Sequence, residues 1–417
     1  MLAGLLPFVV LSVAAAVAAS PVVIRESPVT LPIARRVNAT SARELMKMDQ
    51  ARAKVLKEKG LAAAGKDSAS FRKTARDAIF NVPITDTGLY YTTNVGIGTP
   101  PTQYTLLVDT GSASTWIGAG QPYKRTSSSV DTGQTFGVFY VDGLCDGKLY
   151  NDTVTLGGVA ITGQVIGVAD DVYGFVANAD GILGIGPKKL NEIANSWLTQ
   201  LPTPLDSAYQ QGKISNEVVG ISFEPTTDLS ATNGELTFGA IDSSKYTGKV
   251  VYVPISSNSP AKYYVGIDQS ITYGSAGTTI LSKTSGITDT GTTNILIATD
   301  AFNAYKAATG AVMDDATGYL KITAAQFAKL ESLFFHIGAN TYELTPNAQI
   351  WPRSLNSVIG GDAGSIYLVV GDIGSNSGED FDFIDGFAFI QRFYYVYDVE
   401  NHRVGFANTP YTYATTN

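Results

Sequence analysis

Two Asp-Thr-Gly tripeptides lie in matching positions of the two halves of this 417-residue chain. One begins at Asp109 and the other at Asp289, and an apolar run precedes and follows each of them. A single Asp-Thr-Gly is usually only a turn, because glycine permits a tight reversal of the chain. Two copies in matching apolar frames instead predict two related β lobes whose loops meet at a shared interface.

Two carboxylates brought together in this way would carry out acid–base chemistry. Asp109 and Asp289 at hydrogen-bond distance could not both ionise cheaply, so they would share one proton. The ionised member would act as a general base on a water molecule, and the protonated member would polarise a scissile carbonyl. The proton belongs to the pair and is not assigned to either residue. This chemistry needs no cofactor and no metal.

The rare residue types argue against several other chemistries. Cys145 is the single cysteine, so the chain can form no internal disulfide and holds no paired-cysteine metal or redox site. His336 and His402 are the only histidines, which argues against a His-rich zinc site and limits a Ser-His-Asp triad to these two. A net charge of −8 argues against binding to nucleic acid.

The charge is distributed unevenly along the chain. Residues 1–77 contain 13 Lys and Arg against 6 Asp and Glu, a net charge of +7, whereas residues 78–417 have a net charge of −15. Residues 1–20 are uncharged, rich in Leu, Val and Ala, and end in small residues. This pattern predicts a secretory signal peptide cleaved near 18–20, with an uncleaved membrane anchor as the alternative.

The basic segment 21–77, called the leader below, is predicted to be a propeptide. Residues 78–417 are called the body. Its run Ser41–Gly60 is rich in Ala, Lys and Arg and predicts an amphipathic helix with Gly60 as its C-cap. A solvated helical arm is the alternative. We expect the mature chain to begin near Ala78, within several residues.

The rest of the chain consists mainly of short alternating runs rich in Gly, Thr, Ser, Val and Tyr, which predict strands. Helical patterns recur only briefly, at 190–200, 301–309 and 323–333. We therefore expect an all-β fold of two lobes, an N-terminal lobe over 78–250 and a C-terminal lobe over 251–417, with the site in the cleft between them.

The body resembles the pepsin family of aspartic proteases, and its secreted fungal members most closely, over roughly residues 80–410. The matching segments are the two Asp-Thr-Gly loops, the strand that crosses behind the first loop, the segment before the lobe junction and the C-terminal hairpin: Leu106–Trp116, Ile287–Thr293, Ala179–Gly186, Gly239–Gly248 and Tyr394–Phe406. The sharing of one proton between paired aspartates is established chemistry for that family.

The resemblance implies a secreted endopeptidase that is made as a zymogen and acts at acidic pH. It implies polypeptide substrates in extended conformation, the chain's own propeptide as an intramolecular inhibitor, a monomer, and no membrane association after signal cleavage. In the zymogen, a leader Lys or Arg would lie near the aspartate pair, and acidification would protonate body carboxylates and release the leader.

The resemblance also implies supporting roles around the two aspartates. Thr110 and Thr290 would hydrogen-bond across to the opposite loop. Ser112 and Thr292 would donate to the outer carboxylate oxygens. Other implied positions are two glycines that allow close approach of substrate and water, and a threonine after the second loop that contacts substrate: Gly111, Gly291 and Thr293.

The resemblance also implies a flap in the N-terminal lobe, between the first loop and the strand that contains Asn151. Tyr140 is the expected flap tyrosine, as a hydrogen-bond partner of Trp116, although a packed strand aromatic is the alternative and Phe136, Phe139 and Tyr150 compete for the role. Asp142 and Gly143 would form the flap tip, where Asp142 could favour a basic substrate side chain. Asn151 also begins a glycosylation sequon.

Four features depart from the family pattern. Val141 stands where the family usually has glycine, the segment before the flap is short, and the usual disulfides are absent. Asp385-Gly386 also replaces the usual apolar-Gly-Asp order. Two other functions remain open: a catalytically silent peptide- or protein-binding relative, and a glycosidase with two carboxylates. Intact Asp-Thr-Gly loops in both lobes favour the peptidase.

Overall fold

The computed structural model describes residues 28–38, 45–63, 88–140, 143–173, 179–191, 201–228 and 230–417. The predicted signal peptide, the expected mature start near Ala78, and flap residues Val141 and Asp142 lie outside these residues. Most of the segment predicted to be helical at 190–200 also lies outside them.

One large sheet extends through the molecule and contains thirteen of the described strands. Numbered along the chain, they are β1 (Val29–Asn38), β2 (Gly88–Ile97), β3 (Thr102–Asp109), β4 (Trp116–Ile117), β5 (Val130–Tyr140), β6 (Gly143–Leu156), β7 (Val159–Tyr173), β8 (Gly181–Gly184), β9 (Val218–Ser222), β10 (Ser230–Phe238), β11 (Thr247–Pro254), β22 (Phe393–Asp398) and β23 (Arg403–Asn408). Their order across the sheet is β11-β23-β22-β9-β10-β1-β2-β3-β8-β4-β7-β6-β5.

Two smaller sheets complete the C-terminal half of the described chain. The first contains β12 (Gly266–Tyr273), β13 (Thr278–Thr288), β14 (Ile295–Ile297), β17 (Leu333–Ile337), β18 (Asn340–Leu344), β20 (Val370–Asp372) and β21 (Phe383–Asp385). The second contains β15 (Val312–Asp314), β16 (Tyr319–Ile322) and β19 (Ile366–Leu368). The predicted lobe boundary at residue 250 falls within β11, and the C-terminal strands β22 and β23 return to the large sheet.

Helices are few and mostly short. Those described are α1 (Leu45–Ala63), α2 (Pro204–Gln210), α3 (Thr299–Thr309), α4 (Ala324–Phe327) and α5 (Phe387–Ile390), with 3-10 turns at Lys188–Asn191, Ala261–Tyr263 and Arg353–Leu355. The helix predicted at 301–309 is confirmed by α3. The helix predicted at 323–333 is limited to α4, because the alternating apolar run that begins at Leu333 forms β17. None of the described helices combines the length and apolar character that crossing a membrane requires.

The predicted repeat is confirmed by matching strand crossings in the two halves. β8 pairs in parallel with β3 and antiparallel with β4, and β21 pairs in parallel with β13 and antiparallel with β14. Leu183 lies opposite Val108 in the first crossing, and Asp385 lies opposite Thr288 in the second. Gly386 is therefore the counterpart of Gly184, and Asp385 replaces an apolar residue of the crossing strand.

The leader segment is built into this fold at two places. Strand β1 lies between β10 and β2, with antiparallel partners on both sides. Helix α1 buries one face, formed by Leu45, Met46, Asp49, Ala53, Leu56, Lys57 and Gly60. An antiparallel strand with two neighbours satisfies its backbone hydrogen bonds on both edges, so β1 is an integral part of the sheet.

The prediction that Gly60 caps this helix is wrong. The helix continues through Gly60 to Ala63. A Cβ atom at residue 60 would lie 2.6 Å from the Cβ atom of Pro260 and 2.9 Å from the Tyr264 ring. The glycine thus serves the close packing of the helix against the body, whereas the sequence pattern indicated a helix end.

Candidate active site

The two Asp-Thr-Gly loops meet between the lobes. Asp109 is the last residue of β3 and Asp289 directly follows β13, and both side chains are fully buried. The backbone N–H of Gly111 donates to Asp109 Oδ1 over 2.9 Å, and that of Gly291 donates to Asp289 Oδ1 over 3.0 Å. Each turn therefore supplies a backbone donor to its own carboxylate.

The second oxygen of each carboxylate is held by a hydroxyl. Ser112 Oγ donates to Asp109 Oδ2 over 2.6 Å, and Thr292 Oγ1 donates to Asp289 Oδ2 over 2.5 Å. Hydrogen bonds to a buried carboxylate offset the cost of removing it from water. The two loops thus provide the same pair of donors to each aspartate.

The two threonines of the loops connect the lobes. The Thr110 backbone N–H donates to Thr290 Oγ1, and the Thr290 backbone N–H donates to Thr110 Oγ1, each over 3.0 Å. Thr290 Oγ1 also donates to the Val108 carbonyl over 3.0 Å. Both side chains are buried, so these bonds fix the position of one loop relative to the other.

The glycines of the loops are required by the close approach of the opposite aspartate. A Cβ atom at Gly111 would lie 2.6 Å from Asp289 Oδ1, and one at Gly291 would lie 2.7 Å from Asp109 Oδ1. No real Cβ contact is that short, so any larger residue at either position would displace a carboxylate.

A side chain of the leader occupies the space in front of both carboxylates. Arg52, in helix α1, places Nε 2.7 Å from Asp289 Oδ2. Its terminal nitrogen lies 2.6 Å from Asp109 Oδ1 and 3.0 Å from Asp289 Oδ1. One guanidinium nitrogen therefore contacts an oxygen of each aspartate, which places the two carboxylates side by side. The basic residue expected near the pair from the sequence is therefore Arg52, which the sequence alone does not single out.

Other residues of α1 contact the body on both sides of Arg52. Asp49 accepts from the Thr293 backbone N–H over 3.1 Å, from the Asn294 backbone N–H over 2.7 Å and from the Asn294 side-chain amide over 2.8 Å. Tyr264 donates its hydroxyl proton to the Leu56 carbonyl over 2.6 Å. These contacts could not be predicted from the local sequence, because they depend on which helix face packs against the body.

The environment makes the two aspartates unequal. Burial raises the pKa of Asp109, with a smaller raising effect from the neighbouring Asp289, and the charge of Arg52 opposes both. Burial also acts to raise the pKa of Asp289, but Arg52 and the donors from Thr292 and Gly291 outweigh it, so that pKa lies below its usual range. The environment thus favours ionisation of one carboxylate and protonation of the other.

A further buried carboxylate lies behind the second loop. Asp385 Oδ1 accepts from the Gln269 side-chain amide over 3.1 Å, and its backbone carbonyl accepts from the Asp289 N–H over 3.2 Å. Burial raises the pKa of Asp385 to about 8. This carboxyl group is therefore mainly protonated at neutral pH and places little negative charge behind the pair.

The predicted flap region is partly described. Strands β5 and β6 form its hairpin, with Tyr140 paired to Gly143 in the last register position. Trp116 is fully buried in a small apolar cluster, with its ring 6.3 Å from that of Phe136. Tyr150 is also buried and packs against Tyr123. The role of Tyr140 as flap tyrosine therefore stays a prediction.

The remaining predicted positions lie around this framework. Thr293 is buried directly after the second loop, where its backbone binds Asp49. Asn151 lies within β6, paired with Val130 on one side and Val165 on the other. Cys145 is buried in the flap strand, and burial raises the pKa of its thiol to about 12. Among the described residues, no group of three or more His, Cys, Asp or Glu side chains could hold a metal ion.

Comparisons with known proteins agree with this geometry. The family model for eukaryotic aspartyl protease matches residues 90–409. Polyporopepsin of Irpex lacteus is 55% identical over 339 residues, which cover 81% of this chain and 99% of that protein. Gastricsin of Homo sapiens is 28% identical over 332 residues, which cover 76% of this chain and 81% of that protein.

A solved structure shares the fold. The crystal structure of aspartic proteinase from Irpex lacteus matches with a TM-score of 0.77 at 56% identity, covering 79% of this chain and 96% of that one. The residues matched by the family model, 90–409, include both Asp-Thr-Gly loops. On its sequence, fold and family match, this chain belongs to the pepsin family of eukaryotic aspartyl proteases and is an aspartic endopeptidase.

Proposed function

We propose that the chain is the precursor of a secreted acid endopeptidase, in which Asp109 and Asp289 are the catalytic pair and the leader blocks them. The observation that carries the proposal is the contact of Arg52 with both carboxylates, at 2.6 Å and 2.7 Å. A guanidinium at this position excludes both water and a peptide bond from the pair, so the precursor is inactive while α1 remains in place.

In the released enzyme, the reaction uses one water molecule and one shared proton. The ionised aspartate accepts a proton from the water as its oxygen attacks the carbonyl carbon, while the protonated aspartate donates to the carbonyl oxygen. The tetrahedral intermediate then collapses as the pair returns a proton to the leaving amine nitrogen. Thr110 and Thr290 hold the two loops in register, and Ser112 and Thr292 orient the carboxylates, so the pair is pre-organised for both steps.

Acid release of the leader follows from the charge on Asp289. Its pKa is lowered in the docked state, mainly by Arg52 acting against burial, so this contact stabilises docking at pH values above the ordinary aspartate range. That stabilisation is lost as the pH falls through the lowered pKa. Asp49 acts in the opposite direction, because burial raises its pKa to about 6 and its docking is weakened as the pH rises towards that value.

Self-processing of the precursor tests this function. The purified full-length chain should stay intact at neutral pH and lose its leader on acidification, after which it should cleave a denatured protein. Asp289→Asn should abolish both events while the thermal unfolding of the precursor keeps a single cooperative transition. The Asp362→Asn variant is a matched control, since that side chain is 83% exposed and far along the chain from the loops.

The catalytically silent alternative makes the opposite prediction. A binding-only relative would retain its leader at every pH, or would lose it equally well after Asp289→Asn through the action of another protease. Two further findings support secretion and processing: residues 1–20 have the composition of a signal peptide, and the match to polyporopepsin covers 99% of that protein but only 81% of this chain. Mass spectrometry of the N-terminus of the secreted protein tests both cleavage sites.

A further inference from the structure

The side chain of Lys57, in helix α1, lies in a pocket formed by residues of the body. Its side chain is 7% exposed. Its ammonium group donates to Ser375 Oγ and lies 5.4 Å from the centre of the Phe381 ring. A hydroxyl acceptor combined with an aromatic face is a favourable environment for an ammonium group.

The wall of this pocket is acidic. Asp380, Asp382, Glu379 and Asp372 all attract the Lys57 charge and oppose the effect of burial, which lowers its pKa. Phe381 is fully buried, and Asp382 is fixed by the Thr284 hydroxyl at 2.5 Å and the Gly378 N–H at 2.9 Å. These residues belong to the body, so the pocket remains after the leader has been removed.

The pocket lies within reach of a substrate that occupies the cleft. Lys57 follows Arg52 by five positions, which corresponds to about 7.5 Å along a helix axis. An extended chain advances about 3.3 Å per residue, so a substrate side chain two or three residues from the scissile bond would reach the same region. The Gln50 side chain also contacts this edge of the body, donating to the Asp372 carbonyl over 2.9 Å.

We propose that the pocket formed by Ser375, Glu379, Asp380, Phe381 and Asp382 is a substrate subsite that takes a lysine or arginine side chain. In the precursor, the leader's own Lys57 occupies the subsite in place of a substrate side chain. In the processed enzyme, a basic substrate residue replaces it and its ammonium or guanidinium group binds the same hydroxyl and ring. This inference rests on the proposed release of α1.

A set of extended peptides tests the subsite in the processed enzyme. Each peptide has a bulky apolar pair at the scissile bond and Met, Lys or Glu at one position two or three residues away on either side. At one of these positions, Lys should raise kcat/KM over Met by about threefold to tenfold, the range given by an exposed ion pair together with a cation–aromatic contact. Glu should lower kcat/KM at that same position.

Two variants assign the preference to this pocket. Ser375→Ala and the double variant Glu379→Gln/Asp380→Asn should each reduce the Lys-to-Met ratio towards one. Asn suits residue 380, whose backbone has a φ of 71°. Asp362→Asn removes one carboxylate charge from an exposed site outside the pocket and should leave the ratio unchanged.

Three results would overturn the proposal. The first is the absence of a Lys preference at every position, and the second is a preference that survives both pocket variants, which would assign it to another acidic group such as one on the flap. The third is a processed enzyme that still contains residues 45–63. Failure to cleave the peptides with Met at the varied position would contradict the proposed function itself, and this inference with it.

Discussion

At the scale of single residues, the two halves of the site share their hydrogen bonds but differ in charge. Each aspartate accepts from one glycine N–H and one hydroxyl, with distances between 2.5 Å and 3.0 Å. Arg52 causes the difference in charge environment, since it donates hydrogen bonds from two of its nitrogens to Asp289 and from one of them to Asp109. Removal of the leader would therefore make the two carboxylates more alike, which favours the exchange of roles that catalysis needs.

Thr290 provides a test of the link between the two loops. Thr290→Val removes the hydroxyl that accepts from the Thr110 N–H and donates to the Val108 carbonyl. Unpaired buried groups of this kind cost about 1–3 kcal/mol, so the precursor should unfold at a lower temperature. The processed enzyme should also show a lower kcat, because the aspartates lose their fixed relative position.

Thr290→Ser is the matched control for this variant. It retains the hydroxyl and should preserve most of the stability and the kcat. Equal losses in Thr290→Ser and Thr290→Val would contradict the role of the hydroxyl, because the serine variant retains it.

Much of this residue-scale arrangement is predictable from the sequence. The matching apolar frames identify Asp109 and Asp289 among the four Asp-Thr-Gly copies of the chain, and the residue types that follow them suit the donors found at Ser112 and Thr292. Arg52 was not predictable as an individual residue, because the leader contains 13 basic side chains and only packing selects the one that meets the pair.

At the scale of secondary-structure elements, the crossing strands β8 and β21 have the same pairing pattern but differ in one side chain. Leu183 and Asp385 occupy equivalent positions, so the second lobe has a carboxyl group where the first has an apolar side chain. The departure was visible in the sequence. Its register could not be derived there, because Asp-Gly can be aligned in two ways until the strand partners are known.

Asp385 should make the stability of the body depend on pH. Its pKa rises from 3.8 to about 8 on folding, so its contribution is most favourable below the lower value and is lost as the pH rises to the upper one. Asn at position 385 cannot ionise, so Asp385→Asn removes this pH-dependent loss of stability. Its side-chain oxygen can still accept from Gln269. The melting temperature of the precursor should rise by about 5 °C near pH 9 and by less near pH 6. An equal gain at both pH values would contradict the protonation argument.

Helix α1 shows where a local rule and a tertiary contact disagree. Glycine after a basic helix usually marks the helix end, but here Gly60 lies within the helix and allows the contact with Pro260 and Tyr264. The sequence could not reveal this contact, since Pro260 is distant along the chain.

Gly60→Ala should therefore have opposite effects on the helix and on the precursor. Alanine favours an isolated helix over glycine by about 1 kcal/mol, so a peptide of residues 45–63 should become more helical by circular dichroism. The same substitution places a Cβ atom 2.6 Å from Pro260, so the leader should dock less tightly and self-processing should begin at a higher pH. A lower processing pH would show that intrinsic helicity dominates the docking.

At the scale of the whole molecule, the leader is held by two different kinds of contact. Strand β1 is bound by backbone hydrogen bonds between β10 and β2, which do not titrate, whereas helix α1 places charged groups against an acidic body. The opposite net charges of +7 and −15, visible in the sequence, add a long-range attraction that salt would weaken. Acid release should therefore begin at the helix, with the strand leaving later.

The proposed inhibition of the aspartate pair by Arg52 is measured most directly by the pH at which the precursor begins to cleave a reporter peptide. Arg52→Met removes the charge while it keeps an unbranched side chain, and Lys54→Met is the matched control, since Lys54 is exposed on the same helix. We predict that Arg52→Met shifts the onset of cleavage to higher pH by about one unit or more, which corresponds to about 1.4 kcal/mol of lost docking per unit. Lys54→Met should behave like the unmodified precursor. An onset for Arg52→Met that equals that of Lys54→Met would contradict inhibition by Arg52.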